Sequence, residues 1–433
     1  MNLNKLKTLY TFSPYWIKNI YSLIPFNLRN GKDYVLWRKR LNDDYVDGDK
    51  RSHVVNYAIN NFNFYKEYLK GINLEIWDNI PLLNKDEIQN ALPEFRNFNC
   101  KKFYVATGGV TGKPATFFQS NNVWNKELAF VYDYFNRFGY KPNMRKASFR
   151  GGDFSNLNLK QVWKYNPIYN EMHFSPFHMN LNTIETYVSE LNKKQPLYFH
   201  GYPSAFVMLA MLMQKKSLKL DYKPKAFFLI SENYNEKDIT FLKNFFDAKI
   251  SSFYGHGERL VFAIASEDLK TYQPNLQYGY MELIDKKGYV IKENGKIGEI
   301  VGTSYDNYAM PLIRYKTGDY TYYTNYKTKT FAQIQGKRGQ DALIGKNGEI
   351  ITLTALNLHS SELDNFIRTQ FRQMGKGIVE LSVISLKRIS DEEIGKIEQL
   401  LSKRVGYLIL FKIKIVDKLN QNSRGKVPLI IKY

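Results

Sequence analysis

The stretch YVATGGVTGKPATFFQS, residues 104–120, reads as a strand, a glycine-rich loop and a second strand. Gly108, Gly109 and Gly112 let the backbone take positive φ, while Thr107, Thr111 and Lys113 add two hydroxyls and a cation. Successive N–H groups in such a loop can converge on an anion, so phosphate is the ligand class to expect. The common phosphate-loop pattern, G-x-x-x-x-G-K-[ST], does not fit. Thr107 stands at its first glycine and Pro114 at its magnesium-binding hydroxyl. A glycine hairpin without a ligand is the other reading of this stretch taken alone.

Outward from the loop, residues 121–140, NNVWNKELAFVYDYFNRFGY, place Leu128, Val131, Tyr132, Phe135 and Phe138 at helical spacing, with Ser120 or Asn121 as cap. Residues 195–216, QPLYFHGYPSAFVMLAMLMQKK, read as a short strand turning at Gly201 and Pro203 into a helix. Residues 225–260, KAFFLISENYNEKDITFLKNFFDAKISSFYGHGERL, read as strand, helix, strand. Strands alternating with helices of this length imply parallel crossovers, whose ligands collect at the carboxyl ends of the strands. The strand AKISSF runs directly into Tyr254, Gly255, His256, Gly257 and Glu258, bringing an aromatic and a carboxylate to that edge.

Residues 296–324, KIGEIVGTSYDNYAMPLIRYKTGDYTYYT, alternate apolar and polar positions and predict antiparallel strands around Pro311. Beyond them GKNGEIITL predicts a hairpin and SSELDNFIRTQFRQ (360–373) a helix. GIVELSVIS predicts a strand, SDEEIGKIEQLLSKRVG a helix with a Ser390/Glu393 capping box, and LILFKIKIVD a last strand. The expected fold class is α/β: a large N-terminal αβ domain, residues 1–340, with parallel sheets plus an antiparallel β part. A small α+β C-terminal domain, residues 341–433, follows a hinge near Asp341.

Composition narrows the function classes. One cysteine, Cys100, excludes a disulfide framework, and six scattered histidines do not make a zinc site. The first 26 residues are broken by Pro14 and Lys18, and no run of roughly 18 apolar residues follows, so a cytoplasmic protein is expected. The net charge of +21 raises nucleic acid or an anionic membrane as partners. The cations are interleaved with Asp and Glu and form no arginine-rich tract, so specific nucleic-acid binding is not expected. The exception is the first 40 residues. There Lys5, Lys7, Lys18, Arg29, Lys32, Arg38, Lys39 and Arg40 alternate with aromatics, and either packing on the main domain or peripheral contact with the inner membrane would use them.

Five separated segments, TGGVTGKP (107–114), YGHGE (254–258), GEIVGTSYDNYAMPLIRYKTGD (298–319), RGQD (338–341) and SRGKVP (423–428), come in the order of the signature motifs of adenylate-forming ligases. The chain resembles the phenylacetate-CoA ligase branch and, more closely, CapK-like proteins encoded with capsule and O-antigen enzymes. SHVVNYAINNFNFYKEYL, IPLLNKDEIQN and FHGYPSAFVMLA are also similar to that pattern, so the resemblance spans essentially the whole chain.

The resemblance implies ATP-dependent adenylation of a carboxylic acid, followed by acyl transfer to CoA or to an amine of a sugar or amino acid, in surface-polysaccharide biosynthesis. ATP, magnesium (Mg2+) and CoA are the implied cofactors. It assigns the glycine loop, with Thr107, Gly108, Gly109, Thr111, Gly112 and Lys113, to the ATP phosphates. Tyr254 beside Gly255 resembles the aromatic stacked on adenine, Glu258 the carboxylate that holds magnesium, and Asp319 the ribose-binding aspartate. Arg338 resembles the hinge-motif arginine, with Gln340 or Asp341 at the pivot of a mobile small domain that carries the adenylation lysine, Lys426. Val110 and Gly257 depart from the pattern, each replacing a Thr or Ser, and the alternatives to an active ligase are a catalytically degenerate CapK-like scaffold or a basic protein that binds nucleic acid or a membrane surface. The acyl pocket is expected between residues 148–154, 199–204 and 231–234, with Arg150, His200, Tyr202 and Glu232 as candidates; Arg150 and His200 suit a small polar acid. His173 and His178 are read as packing or loop residues rather than ligands, and Tyr202, Phe177 and Tyr234 could equally be core.

Overall fold

A computed structural model describes residues 13–43, 49–107, 115–151, 161–176, 178–232, 234, 236–334, 342–352, 356, 366–385, 389–416, 420 and 430–431. The glycine loop 108–114, Phe177, the hinge residues Arg338, Gln340 and Asp341, and Lys426 lie outside them.

The strands that flank the glycine loop, β1 (Lys102–Thr107) and β2 (Ala115–Ser120), pair antiparallel, with Thr107 opposite Ala115. The helix Asn121–Asn136 starts directly after β2. Ser120 stands at its N-cap, but the hydroxyl donates to Asp306 O at 3.2 Å instead of capping.

Six strands come next: β3 (Lys146–Phe149), β4 (Trp163–Asn166), β5 (Glu171–Phe174), β6 (Tyr198–Gly201), β7 (Ala226–Leu229) and β8 (Lys249–Gly255). β5, β3, β6, β7 and β8 run parallel, with helices Ile184–Lys194, Pro203–Lys215 and Glu236–Phe246 as the crossovers from β5 through β8. The other six, β9 (Phe262–Ala265), β10 (Thr271–Pro274), β11 (Gly279–Ile284), β12 (Ile297–Ser304), β13 (Tyr315–Asn325) and β14 (Thr330–Ala332), pair antiparallel. All twelve join in one sheet of order β11-β12-β13-β14-β10-β9-β8-β7-β6-β3-β5-β4. β8 is the junction: Lys249–Ser252 pair parallel with β7, and Phe253–Gly255 antiparallel with β9.

Period-two alternation splits the parallel strands into two faces. On one, Phe149 stacks on Phe174 at 4.9 Å and Phe199 on Phe227 at 4.5 Å, in a core shared with the crossover helices. On the other, Ser148, His173 and His200 lie side by side in register. Where β6 ends, a Cβ on Gly201 would meet Phe149 O at 2.1 Å, so only glycine lets the two backbones close up.

At the N-terminus, helix Tyr15–Leu23 is followed by Phe26–Asn42, kinked at Gly31 with φ +73°. Tyr34 and Trp37 of the second helix are buried beside helix Asn121–Asn136, with Trp37 5.5 Å from Phe130. The expected packing on the main domain holds for that helix; the first leaves its apolar residues exposed.

The C-terminal part contains the expected hairpin, β15 (Ala342–Ile344) with β16 (Ile350–Thr352). It also holds a sheet of β17 (Phe366–Gly375), β18 (Ile378–Ser385), β19 (Leu410–Ile415) and β20 (Ile430–Ile431), in the order β19-β18-β17-β20. Helix Asp391–Arg404 has the predicted Ser390/Glu393 capping box. Two expectations are corrected. The helix read over 360–373 is strand β17 from Phe366, because the turn at Gly377, φ +72°, folds it back on β18. The strand read as last, β19, is followed by β20, which pairs parallel with β17.

Candidate functional site

Two of the five motif segments, 254–258 and 298–319, meet at the carboxyl end of β8, and the strand that leaves the glycine loop joins them. The phenol of Tyr254 donates to Asp319 Oδ2 at 2.8 Å. Asp319 is only 1% exposed and sits in a bulge of β13: between the pairs Val301–Lys316 and Glu299–Tyr320 the register shifts, leaving Thr317, Gly318 and Asp319 out of the ladder. Gly318 takes φ +76° there, and its N–H donates to Glu299 Oε1 at 3.0 Å. Such a bulge re-aims a side chain, and here it turns a carboxylate toward the end of β8.

Beneath the bulge Arg314, itself at φ +49°, is 2% exposed and forks onto the buried Glu282, Nε–Oε1 2.8 Å and Nη2–Oε2 3.4 Å. Its Nη1 also donates to Asp78 O at 3.0 Å. Burial raises the Glu282 pKa above its ordinary value, against the lowering pull of Arg314. This pair anchors the strand that carries Asp319.

Beyond Tyr254 the chain turns through Gly255, His256 and Gly257 to Glu258, which is 5% exposed, with His256 Nδ1 at 3.3 Å from its Oε2. The turn is tied to the strand leaving the glycine loop. Gln119 Nε2 donates to Gly257 O at 2.6 Å, and Gln119 Oε1 accepts from Arg259 Nε at 3.0 Å. Arg259 also pairs with Glu127 at 3.1 Å and lies 5.0 Å from the Trp124 ring. The bond to Gly257 runs through a backbone carbonyl, so the missing hydroxyl side chain at that position leaves the tie intact. The segment 298–319 is tied to β2 as well, through Asn307, whose amide accepts from Ser120 N at 3.1 Å and donates to Phe118 O and Met310 O, each at 2.9 Å.

Among the described residues no group of three or more His, Cys, Asp or Glu could enclose a metal. Magnesium is commonly held by one or two carboxylates together with substrate phosphates, and a single buried carboxylate beside the glycine-loop strand suits that mode. Glu258 fits it.

The four acyl-pocket candidates lie at the carboxyl ends of β3, β6 and β7. Arg150 Nη2 reaches Glu171 Oε1 at 3.3 Å, and Glu171 is 1% exposed. Burial alone would raise Glu171, but the cations of Arg150 and Lys146 outweigh it and hold its carboxyl below the usual range. Burial, reinforced by Arg150, lowers His173 to about 4 and His200 to about 3. Both imidazoles are therefore neutral near pH 7. His173 Nε2 is 3.1 Å from Arg150 O, whereas neither ring nitrogen of His200 has a hydrogen-bond partner among the described residues. Tyr202 is buried and accepts from Gly151 N at 2.8 Å; Glu232 is partly buried at the mouth of β7. Tyr234 is buried, its hydroxyl 2.8 Å from that of Tyr272. His178 holds Ser175 Oγ at 2.7 Å and packs against Gly406 of the C-terminal part.

Sequence reading missed Gln119, Glu127, Glu171, Arg259 and Glu282. None has a local signal except Arg259, which directly follows the YGHGE motif.

No protein-family profile matches the chain. Over 392 residues it is 25% identical to protein CapK of Staphylococcus aureus, covering 86% of this chain and 85% of CapK. Among solved structures it is similar to 2-hydroxyisobutyryl-CoA ligase in complex with 2-HIB-AMP and CoA in the thioesterification state. The TM-score is 0.54 at 16% identity, with 88% of each chain covered. The same ligase in the postadenylation state with R3-HIB-AMP gives a TM-score of 0.51, also at 16% identity, over 89% of this chain and 88% of that one. The chain thus has the fold of an adenylate-forming CoA ligase and is CapK-like in sequence along most of its length, as its motifs led one to expect.

Proposed function

We propose that the protein adenylates a small polar carboxylic acid with ATP and passes the acyl group to the thiol of CoA or to an amine of a sugar or amino acid. The setting is cytoplasmic surface-polysaccharide biosynthesis. The observation that carries the reading is the Tyr254–Asp319 contact, which sets a buried carboxylate and an aromatic ring where two motif segments meet beside the strand leaving the glycine loop. Asp319 accepts hydrogen bonds from the ribose hydroxyls, and the Tyr254 ring stacks on adenine. Thr107, Gly108, Gly109, Thr111, Gly112 and Lys113 surround the phosphates.

In adenylation an oxygen of the substrate carboxylate attacks the α-phosphorus, and the bond to the β-phosphate oxygen breaks, releasing pyrophosphate. Two anions approach, so the barrier is electrostatic. Magnesium, held by Glu258 and the phosphates, offsets part of that charge when bound. Lys426 supplies a further cation, with Arg338 near the ribose and Gln340 or Asp341 as pivot. In transfer the thiol or amine attacks the acyl carbon, and AMP leaves.

The unpartnered nitrogens of His200 support a substrate with a neutral hydrogen-bonding substituent, because a buried imidazole left unsatisfied costs about 1–3 kcal/mol. The solved ligase of similar fold was captured with a hydroxy-acid adenylate. Acid-dependent ATP–pyrophosphate exchange across hydroxy acids, sugar acids, amino acids and aryl acids tests the proposal. Exchange with a polar acid supports it; no exchange with any acid overturns it.

A further inference from the structure

The first two helices leave uncovered an apolar face that the ATP chemistry does not use. On helix Tyr15–Leu23, Trp16, Ile20 and Leu23 follow at i, i+4 and i+7 and are 63%, 57% and 80% exposed. Leu28, just beyond Pro25, is 72% exposed, and Val35 and Leu36 add 45% and 47% past the Gly31 kink. Large exposed apolar side chains concentrated on two consecutive helices mark an interaction surface, unlike the scattered exposed residues of any protein.

The opposite face of the second helix is committed to the body. Tyr34 and Trp37 are buried, Arg38 pairs with Asp133 at 2.9 Å, and Arg29 donates to Ile168 O at 2.7 Å. The apolar face is therefore held outward on a fixed mount. Lys32 and Lys39 are exposed beside Val35 and Leu36 at helical spacing. Between residues 13 and 43 the chain carries six Lys or Arg against two Asp, and residues 1–12 add Lys5 and Lys7 with no acid.

We propose that these two helices dock the protein on an anionic lipid surface. Apolar and aromatic side chains enter the boundary between headgroups and acyl chains, and the lysines meet the lipid phosphates. Among the described residues no helix is long and apolar enough to cross a membrane, so the helices lie in the surface. Charge complementarity selects lipid over a second copy of the chain, because pairing two such faces would bring two cationic patches of a +21 protein together.

The test is flotation of the full chain with phosphatidylcholine vesicles, with and without phosphatidylglycerol. Binding should require phosphatidylglycerol and weaken with salt. Lys32→Gln and Lys39→Gln should each weaken it about fivefold, and Leu23→Asp with Leu28→Asp should abolish it. Thermal midpoint and acid-stimulated pyrophosphate exchange should be unchanged in all four substitutions, which separates docking from folding and from catalysis. The proposal is overturned by absence of flotation, by equal flotation of the Leu23→Asp/Leu28→Asp variant, or by flotation only after residues 1–12 are removed. Sedimentation showing a dimer that the same pair of substitutions dissociates would assign the face to a second copy instead.

Discussion

Tyr254 and Asp319 stand 65 positions apart in the chain, yet the phenol of one donates to the carboxylate of the other at 2.8 Å. One lies where β8 changes from parallel to antiparallel pairing, the other in the bulge of β13. In the proposed nucleotide site the contact would orient the carboxylate before ATP arrives, and such preorganisation reduces the ordering that binding must impose.

Removing that carboxylate tests the nucleotide site. A hydrogen bond to a charged group contributes about 1.5–3 kcal/mol, so Asp319→Ala should weaken ATP binding at least about tenfold by calorimetry. Tyr254→Phe keeps the ring and loses only the orienting bond, so its effect should be the smaller of the two. Unchanged affinity in Asp319→Ala would remove that residue from the site.

Stability should depend on the buried pair below the bulge. Arg314→Met alone leaves Glu282 buried without its countercharge, and Glu282→Leu does the same to the guanidinium; each should cost about 3–5 kcal/mol. The double variant should recover much of the loss. Urea unfolding measures all three, and additive losses would show that the two residues act independently.

Acid sensitivity follows from the cluster around Glu171. His173 and His200 are lowered from 6.5 to about 4 and about 3, so between these values the folded rings stay neutral while the unfolded ones take up protons. The unfolded state then binds more protons, and stability falls as pH drops below 6.5, by about 1.4 kcal/mol per pH unit for each ring fully in that regime. Glu171, also lowered, adds stability that is fully present above its unfolded value of 4.5 and is lost as pH falls below it. Replacing both histidines by Gln should flatten the stability profile between 6.5 and 4.5, measured by urea unfolding at each pH. A slope unchanged by the substitutions would show that these rings are protonated in the folded protein.

Lys426 distinguishes the two half-reactions. Lys426→Ala should reduce pyrophosphate exchange by a factor on the order of 10²–10³, the usual effect of deleting one electrostatic stabiliser. Supplied with preformed acyl-adenylate, the variant should transfer the acyl group at close to the normal rate. Asp341→Pro, which would stiffen the proposed pivot, should impair transfer more than adenylation. Equal slowing of both steps by Lys426→Ala would contradict the two-position cycle.

What could be read from the chain alone was local. Helical spacing in 121–140, the strand–helix alternation of 195–260 and the Ser390/Glu393 box depend on neighbours a few positions away, and the structure has all of them. Segment 366–375 escaped because its apolar residues also fit helical spacing, and only pairing with β18 and β20 makes it a strand. The polar partners escaped for a different reason. Glu171 meets Arg150 and Lys146 only because β3 and β5 pair in parallel register, and Glu282 meets Arg314 across two antiparallel strands and a turn. Gln119 reaches Gly257 over 138 positions. A buried polar residue is identified by what satisfies it, and strand register, which sets those partners, is a property of the whole sheet. The sequence therefore determined the motifs and most of the elements that carry them, while the tertiary structure decided which carboxylates are buried, what charge faces them and which apolar helix face is left outside.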